Sequence, residues 1–333
     1  MLSADSKHEF AHISSHCDAQ SAHVMIIYDT VSLVLYADAS RLHPQDAYSA
    51  HVETMKNAGQ IPKETLLAAH KSLVQIVTES FQPTILDLFS KYHALLGHSV
   101  ADMLTCPQYT LRLDKDKNKV AIEGPVQANP YCIHAIPLTT IPSSDTITVF
   151  PAQTLLFEFH APDSGSLAGL VRLPHGGGTA WFKPAEESKT EGFLTDLAAY
   201  RRVTSACRQS ASSTRPRIPV LRALATTRDG GEVIGILITP IRGKVLRDVG
   251  PAAKARHGKR WRRQVEESVR FLHANGVVWG DVNATNVLVD DQDDAWILDF
   301  EGGRAGLEGE VLVAEMLKRD SEGTEVLFTN DLY

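Results

Sequence analysis

The chain has 333 residues, 43% of them hydrophobic and 22% charged, with a formal net charge of −7. That length and apolar content allow a buried core and more than one domain. The negative balance argues against generic nucleic-acid binding, which needs a basic face to release counterions from phosphates.

The first part reads as mixed α/β. "VMIIY" (24–28) and "VSLVLYA" (31–37) have the composition of strands, whereas "KETLLAAHKSLVQIVTESF" (63–81) and "TILDLFSKYHALLGHSVADML" (84–104) carry apolar residues at helical spacing. "YTLRLDKDKNKVAIEG" (109–124) is expected to be a hairpin turning at Asp114 to Lys119. His8, His12 and His16 are spaced four apart and would share one face of a helix, but terminal segments are loose, and solvated histidines are the plainer reading than a metal site. The longest apolar stretch, "VMIIYDTVSLVLY", is interrupted by Asp29 and Thr30 and is too short to span a bilayer. Cys17, Cys106, Cys132 and Cys207 form no CxxC pair, and the start lacks an apolar leader, so a reducing compartment is expected, the cytoplasm or the nucleus.

"AIPLTTIPSSDTITVFPAQ" (135–153) is rich in Pro, Ser and Thr, which sets an expected boundary at residue 148. Residues 1–148 are then an N-terminal mixed region of unknown function. Residues 149–333 form a second domain, divided at residue 241. In this second part "TLLFEFH", "LAGLVRLP" and "TAWFKPA" read as strands, the third carrying Lys183. A helix over 191–206 follows, then two strands, "VLRALATTRDG" and "EVIGILITPI". A basic helical stretch (259–276) ends at Gly276, a C-cap candidate. Arg242 to Arg263, containing "KARHGKRWRRQ", would suit an acidic partner or a nuclear address, though such a run is more often a solvated helix flank.

"VVWGDVNATNVLVDDQDDAWILDFEGG" (277–303) holds the candidate site. Val287 to Val289 and Ala295 to Leu298 are strand-forming runs about a polar turn, so a hairpin brings Asp281 and Asp299 to one end. Asp290, Asp291, Asp293 and Asp294 read as turn residues without function, and Ala295 stands where a calcium loop needs glycine.

On Lys183, on "GDVNATN" with Asp281 and Asn286 five apart, and on "LDFEG" with Asp299, residues 150–303 resemble the protein-kinase-like fold shared by protein kinases and by aminoglycoside and choline kinases. More narrowly, "VVWGDVNATNVLVD" followed by "AWILDF" is similar to short kinase-like proteins of fungi. The resemblance implies an α+β, bilobal fold: a five-stranded antiparallel N-lobe sheet with one helix (149–241) and a reduced helical C-lobe (242–333). It implies an ATP- and Mg²⁺-dependent transferase to a protein Ser/Thr hydroxyl, while the net charge and the short apolar stretch lead us to expect no nucleic-acid or membrane partner. By that resemblance Asp281 would be the catalytic base, Asn286 and Asp299 would hold Mg²⁺, and Lys183 would hold the donor phosphates. A helix acid should fix the lysine, and Asp196 at mid-helix is chosen over Glu191 in the first turn.

The departures from the pattern are specific. Trp181 shares a strand face with Lys183, no G-x-G-x-x-G precedes it, Trp279-Gly280 replaces His-Arg, and "DFEGG" replaces D-F-G. Two alternatives therefore stand beside the protein kinase: a pseudokinase acting as a binding scaffold, and a small-molecule kinase.

Overall fold

The computed structural model describes residues 11–17, 21–28, 31–38, 99–113, 120–128, 133–141, 147–160, 166–186, 189–209, 216–305 and 310–329. The chain forms two compact units, one of Met1–Ile133 with Ala152–Gly169, the other of His134–Pro151 with Leu170–Tyr333.

The first unit contains a five-stranded sheet of β1 (Ala11–Cys17), β2 (Ser21–Tyr28), β3 (Val31–Asp38), β4 (Cys106–Leu113) and β5 (Val120–Ala128), in that order. β3 and β4 run parallel, and the other neighbours are antiparallel. The hairpin expected around Asp114 to Lys119 is the β4–β5 pair, with Leu113 opposite Val120. His12 and His16 lie on strand β1, not on a helix, and His8 lies outside the described residues. Of the two helices expected between 63 and 104, only the end, α1 (Val100–Leu104), falls among the described residues. It begins at Ser99, whose hydroxyl accepts from the Asp102 amide while the Asp102 carboxylate accepts from the Ser99 amide. This reciprocal cap satisfies two donors that the first helical turn leaves without partners.

The chain then enters the second unit for β6 (Ile136–Pro137) and β7 (Val149–Pro151), supplies β8 (Leu156–His160) to the first, and continues in the second with β9 (Gly169–Arg172) and β10 (Thr179–Pro184). Helix α2 (Thr190–Gln209) follows, then β11 (Leu221–Thr226) and β12 (Glu232–Ile238). The sheet of this unit runs β7-β11-β12-β10-β9, with β6 also paired to β12. The expected strands and the helix between the third and fourth are present. The sheet is mixed, however, because β7 runs parallel to β11. Alternation is visible on β10, where Ala180, Phe182 and Pro184 are buried while Trp181 and Lys183 share the opposite, half-buried face. Helix α2 lays Phe193, Leu197, Tyr200 and Val203 into the core at three- and four-residue spacing, and Asp196 lies on that same buried face.

The remainder is β13 (Gly243–Val245), α3 (Pro251–Ala274), β14 (Val277–Val278), β15 (Val287–Asp290), β16 (Ala295–Ile297), β17 (Arg304–Ala305) and α4 (Glu310–Thr329). Helix α3 starts earlier than its basic stretch implied, because Pro251 at the first helical position has no N–H to lose there. It ends at Ala274 and Gly276 follows at φ 68°, a conformation that costs glycine little. β15 and β16 pair as an antiparallel hairpin that also carries β13, and β14 pairs with β17. The second unit is thus α+β in composition. No helix among the described residues is long and apolar enough to cross a membrane.

Candidate functional site

Two backbone segments are pressed together to make the site. Trp279 is fully buried, and its indole N–H donates to the Leu298 carbonyl at 2.9 Å, tying the residue two before Asp281 to the residue just before Asp299. The Leu298 amide donates in turn to the Asn286 carbonyl at 2.9 Å. Between these ties the backbones approach so closely that side chains cannot intervene. A Cβ on Gly280, whose φ is 80°, would lie 2.2 Å from the Gly302 carbonyl oxygen, and one on Gly303 would lie 2.1 Å from that of Val278. The glycines of "WGD" and "DFEGG" are therefore required by contact with one another.

The first half of the site is the loop Asp281 to Asn286. The Asn286 amide donates to the Asp281 carboxylate Oδ2 at 2.8 Å and to its carbonyl at 3.1 Å. Asn283 caps the same turn by accepting from the Thr285 and Asn286 amides. Asp281 itself is exposed, and the Asn286 bonds use its Oδ2 and carbonyl, not its Oδ1. Because both Asn286 donor contacts go to Asp281, its amide oxygen remains to accept or to ligate.

The second half centres on Lys183. Its ammonium lies 2.9 Å from Asp196 Oδ2, 3.0 Å from Asp299 Oδ1 and 3.0 Å from Glu301 Oε1. Asp196 is fully buried and uses its other oxygen to accept from the Phe300 amide at 2.9 Å. The Phe300 ring stands edge-on to Tyr200, one helical turn beyond Asp196, at 5.0 Å between centroids. Helix α2 therefore sits close enough for the short aspartate side chain to reach the lysine. Asp299 adopts φ 62°, a left-handed conformation uncommon outside glycine, and its Oδ1 also accepts from the Glu301 amide at 3.2 Å. Its Oδ2 is left outside these contacts.

The charges are strongly coupled. Burial works to lower the Lys183 pKa, but Asp196, Asp299 and Glu301 outweigh it and hold the ammonium well above the ordinary lysine range. Burial raises Asp196 to about 6 although the facing ammonium opposes it. Burial likewise pushes the Tyr200 hydroxyl far up. The environment thus favours a permanent cation at the centre of an acidic shell.

All five residues singled out in the sequence lie in the second unit. Lys183, Asp196 and Asp299 form one cluster and Asp281 and Asn286 another, and the Leu298–Asn286 and Trp279–Leu298 bonds join them. Glu191 lies in the first turn of α2, and its neighbour Gly192 packs beneath Glu301. Two further residues are missing from the sequence reading. Glu301 is the third carboxylate on Lys183. Asp320 on α4, only 1% exposed, accepts from the Trp279 and Gly280 amides at 2.8 Å each and from His273 at 2.9 Å. The "DFEGG" motif could have pointed to Glu301, but no local pattern marks Asp320.

Part of the basic stretch is paired within the chain. Arg260 pairs with Asp294, Arg262 with Glu266 and Arg263 with Glu267. The sequence matches no family model and no curated protein.

Proposed function

We propose that the second unit is an ATP- and Mg²⁺-dependent phosphotransferase acting on an alcohol group, in the manner of the bilobal protein-kinase-like fold. The observation that carries this reading is the strand-borne Lys183 ammonium held 2.9 Å from a helix acid and 3.0 Å from Asp299, beside the Asp281–Asn286 loop. The residues suit the cofactor. Asp299 and Asn286 each keep one oxygen outside their contacts within the chain, and hard oxygens are what Mg²⁺ takes. Bound there, Mg²⁺ with its nucleotide supplies an activated phosphoryl group whose negative charge is partly neutralised.

The chain's own groups do the rest. Lys183 attracts the donor phosphates as a point charge, and Asp196 holds the lysine in place. Asn286 fixes the Asp281 carboxylate through Oδ2, so Oδ1 is the atom that orients an acceptor hydroxyl and takes its proton. A Ser/Thr side chain of a protein is the preferred acceptor, with a small-molecule alcohol as its competitor. A second reading, a binding module without transfer, is favoured by one fact: the Lys183 ammonium is already surrounded by three carboxylates.

A melting titration of the full chain with ATP, with and without Mg²⁺, tests the reading. A ligand at 100 times its Kd stabilises by about 2.7 kcal/mol. The expected result is a Mg²⁺-dependent shift that Asp299→Asn abolishes, with turnover lowered about 10²- to 10⁴-fold by Asp281→Ala. A shift without turnover on any hydroxyl acceptor, or the absence of any shift at millimolar nucleotide, removes the transferase reading and leaves the binding module.

A further inference from the structure

An ammonium has three N–H donors. Three carboxylate oxygens lie 2.9, 3.0 and 3.0 Å from Lys183, of which Asp299 Oδ1 takes a hydrogen bond, so a phosphate oxygen arriving at the ammonium competes with carboxylates already crowded around it. The three are not equally free to give way. Asp196 has no exposed surface and is bound to the Phe300 amide. Asp299 is bound to the Glu301 amide and held in a left-handed backbone conformation. Glu301 has the longest side chain of the three, and although it is less exposed than Asp299, at 24% against 35%, no hydrogen bond holds it apart from the ion pair. A second cation stands near the place it would vacate. Lys189 at the start of α2, paired with Glu186 at 3.2 Å, also lies within the electrostatic reach of Glu301, whose stem packs against Gly192 one turn into the same helix.

We propose that Glu301 is a built-in competitor for phosphate: it covers the face of the Lys183 ammonium that a polyphosphate needs, and polyphosphate binding proceeds by exchanging Glu301 from Lys183 toward Lys189. The inference rests on the phosphotransferase reading and adds an affinity-setting residue to it. It also explains why an acid occupies this place. Three carboxylates around one ammonium leave the cleft net negative, so the lysine is held rigidly ready, but entry is restricted to ligands that bring enough negative charge, with their cation, to displace the glutamate.

The test is isothermal titration of MgATP into the full chain, together with melting of the nucleotide-free protein, for wild type, Glu301→Gln, Lys189→Ala, Lys183→Met and the double variant Lys183→Met/Glu301→Gln. Glu301→Gln is expected to bind MgATP about five-fold more tightly, the scale of one partly exposed ion pair, while melting at a lower temperature without nucleotide. A purely structural role would move both quantities downward together. Lys189→Ala is expected to weaken MgATP binding, and the gain from Glu301→Gln is expected to vanish in the Lys183→Met background. MgATP binding by wild type with equal or weaker binding by Glu301→Gln overturns the competitor while leaving the phosphotransferase reading intact. No MgATP binding by either protein overturns both.

Discussion

The two ends of the β15–β16 hairpin are equally rich in carboxylates and differ in what the chain does with them. At the turn, Asp290 accepts from the Gln292 and Asp294 amides through one oxygen and from the Trp296 indole through the other. Asp294 takes Arg217 at 3.0 Å, Gln264 at 2.6 Å and Arg260 as well. Partial burial would raise its pKa, but these hydrogen bonds outweigh that and hold its carboxyl below the usual range. At the other end, Asp281 gives one oxygen to Asn286 and Asp299 gives one to Lys183, and each keeps an oxygen in reserve. Counting acids therefore distinguishes nothing. Asp291 and Asp293 are exposed turn residues, so the contrast rests on Asp290 and Asp294, whose lone pairs the chain's own donors have used.

The comparison can be broken most strongly through Asp320, which supports the open end from beneath. Asp320→Ala removes a buried carboxylate and leaves the Trp279 and Gly280 amides without a partner. The expected loss is about 3 kcal/mol or more, read as the midpoint of urea unfolding. Nucleotide response should disappear with it, because these amides lie immediately before Asp281. Retention of both stability and nucleotide response would show that the loop holds its shape without the helix.

Asp294→Ala attacks the closed end. It strands Arg217, Arg260 and Gln264, and a loss of about 2 kcal/mol is expected. Here the two readouts should separate: melting falls while the Mg²⁺-dependent ATP shift keeps its size. If the shift fell in proportion, the turn would belong to the site and the contrast between the ends would be wrong.

Much of this was legible in the amino-acid sequence, for a local reason. Strand alternation put Lys183 and Trp181 on one face of β10, helical spacing put Asp196 on the inner face of α2, and the polar turn set the hairpin register. The turn's consumption by Arg217, Arg260 and Gln264 was not legible, because those donors come from 30 to 77 residues away. Asp320 was invisible for the same reason: its partners Trp279 and Gly280 lie 41 and 40 residues distant and are backbone amides, which no side-chain pattern marks. Glu301 was hidden differently, standing in plain view beside Asp299 while its stem packs closely over Gly192 of α2, a contact no local pattern shows. The mixed character of the sheet came from Val149–Pro151, in a stretch whose Pro, Ser and Thr content reads as a connection; three residues are too few to show a period.

The most gradual effect sharpens the comparison at Asp196, an acid of the open end with no exposed surface. Its folded pKa is raised from 3.8 to about 6, chiefly by burial and despite Lys183. A group raised in this way binds its proton more tightly folded than unfolded. Its contribution to stability is therefore complete below pH 3.8, declines as pH rises toward 6, and is lost above that. Relative to Asp196→Asn, which does not titrate, the wild type should lose about 1 kcal/mol per pH unit across this window and stay parallel to the variant above it. The sign of the lysine's influence gives the decisive control. Because the facing ammonium is what opposes burial, Lys183→Met should move the upper end of the window to higher pH, so the decline continues past pH 6. A window that stayed in place would mean that the 2.9 Å ion pair is not felt electrostatically in solution, and the division of labour argued for the three carboxylates would fall with it.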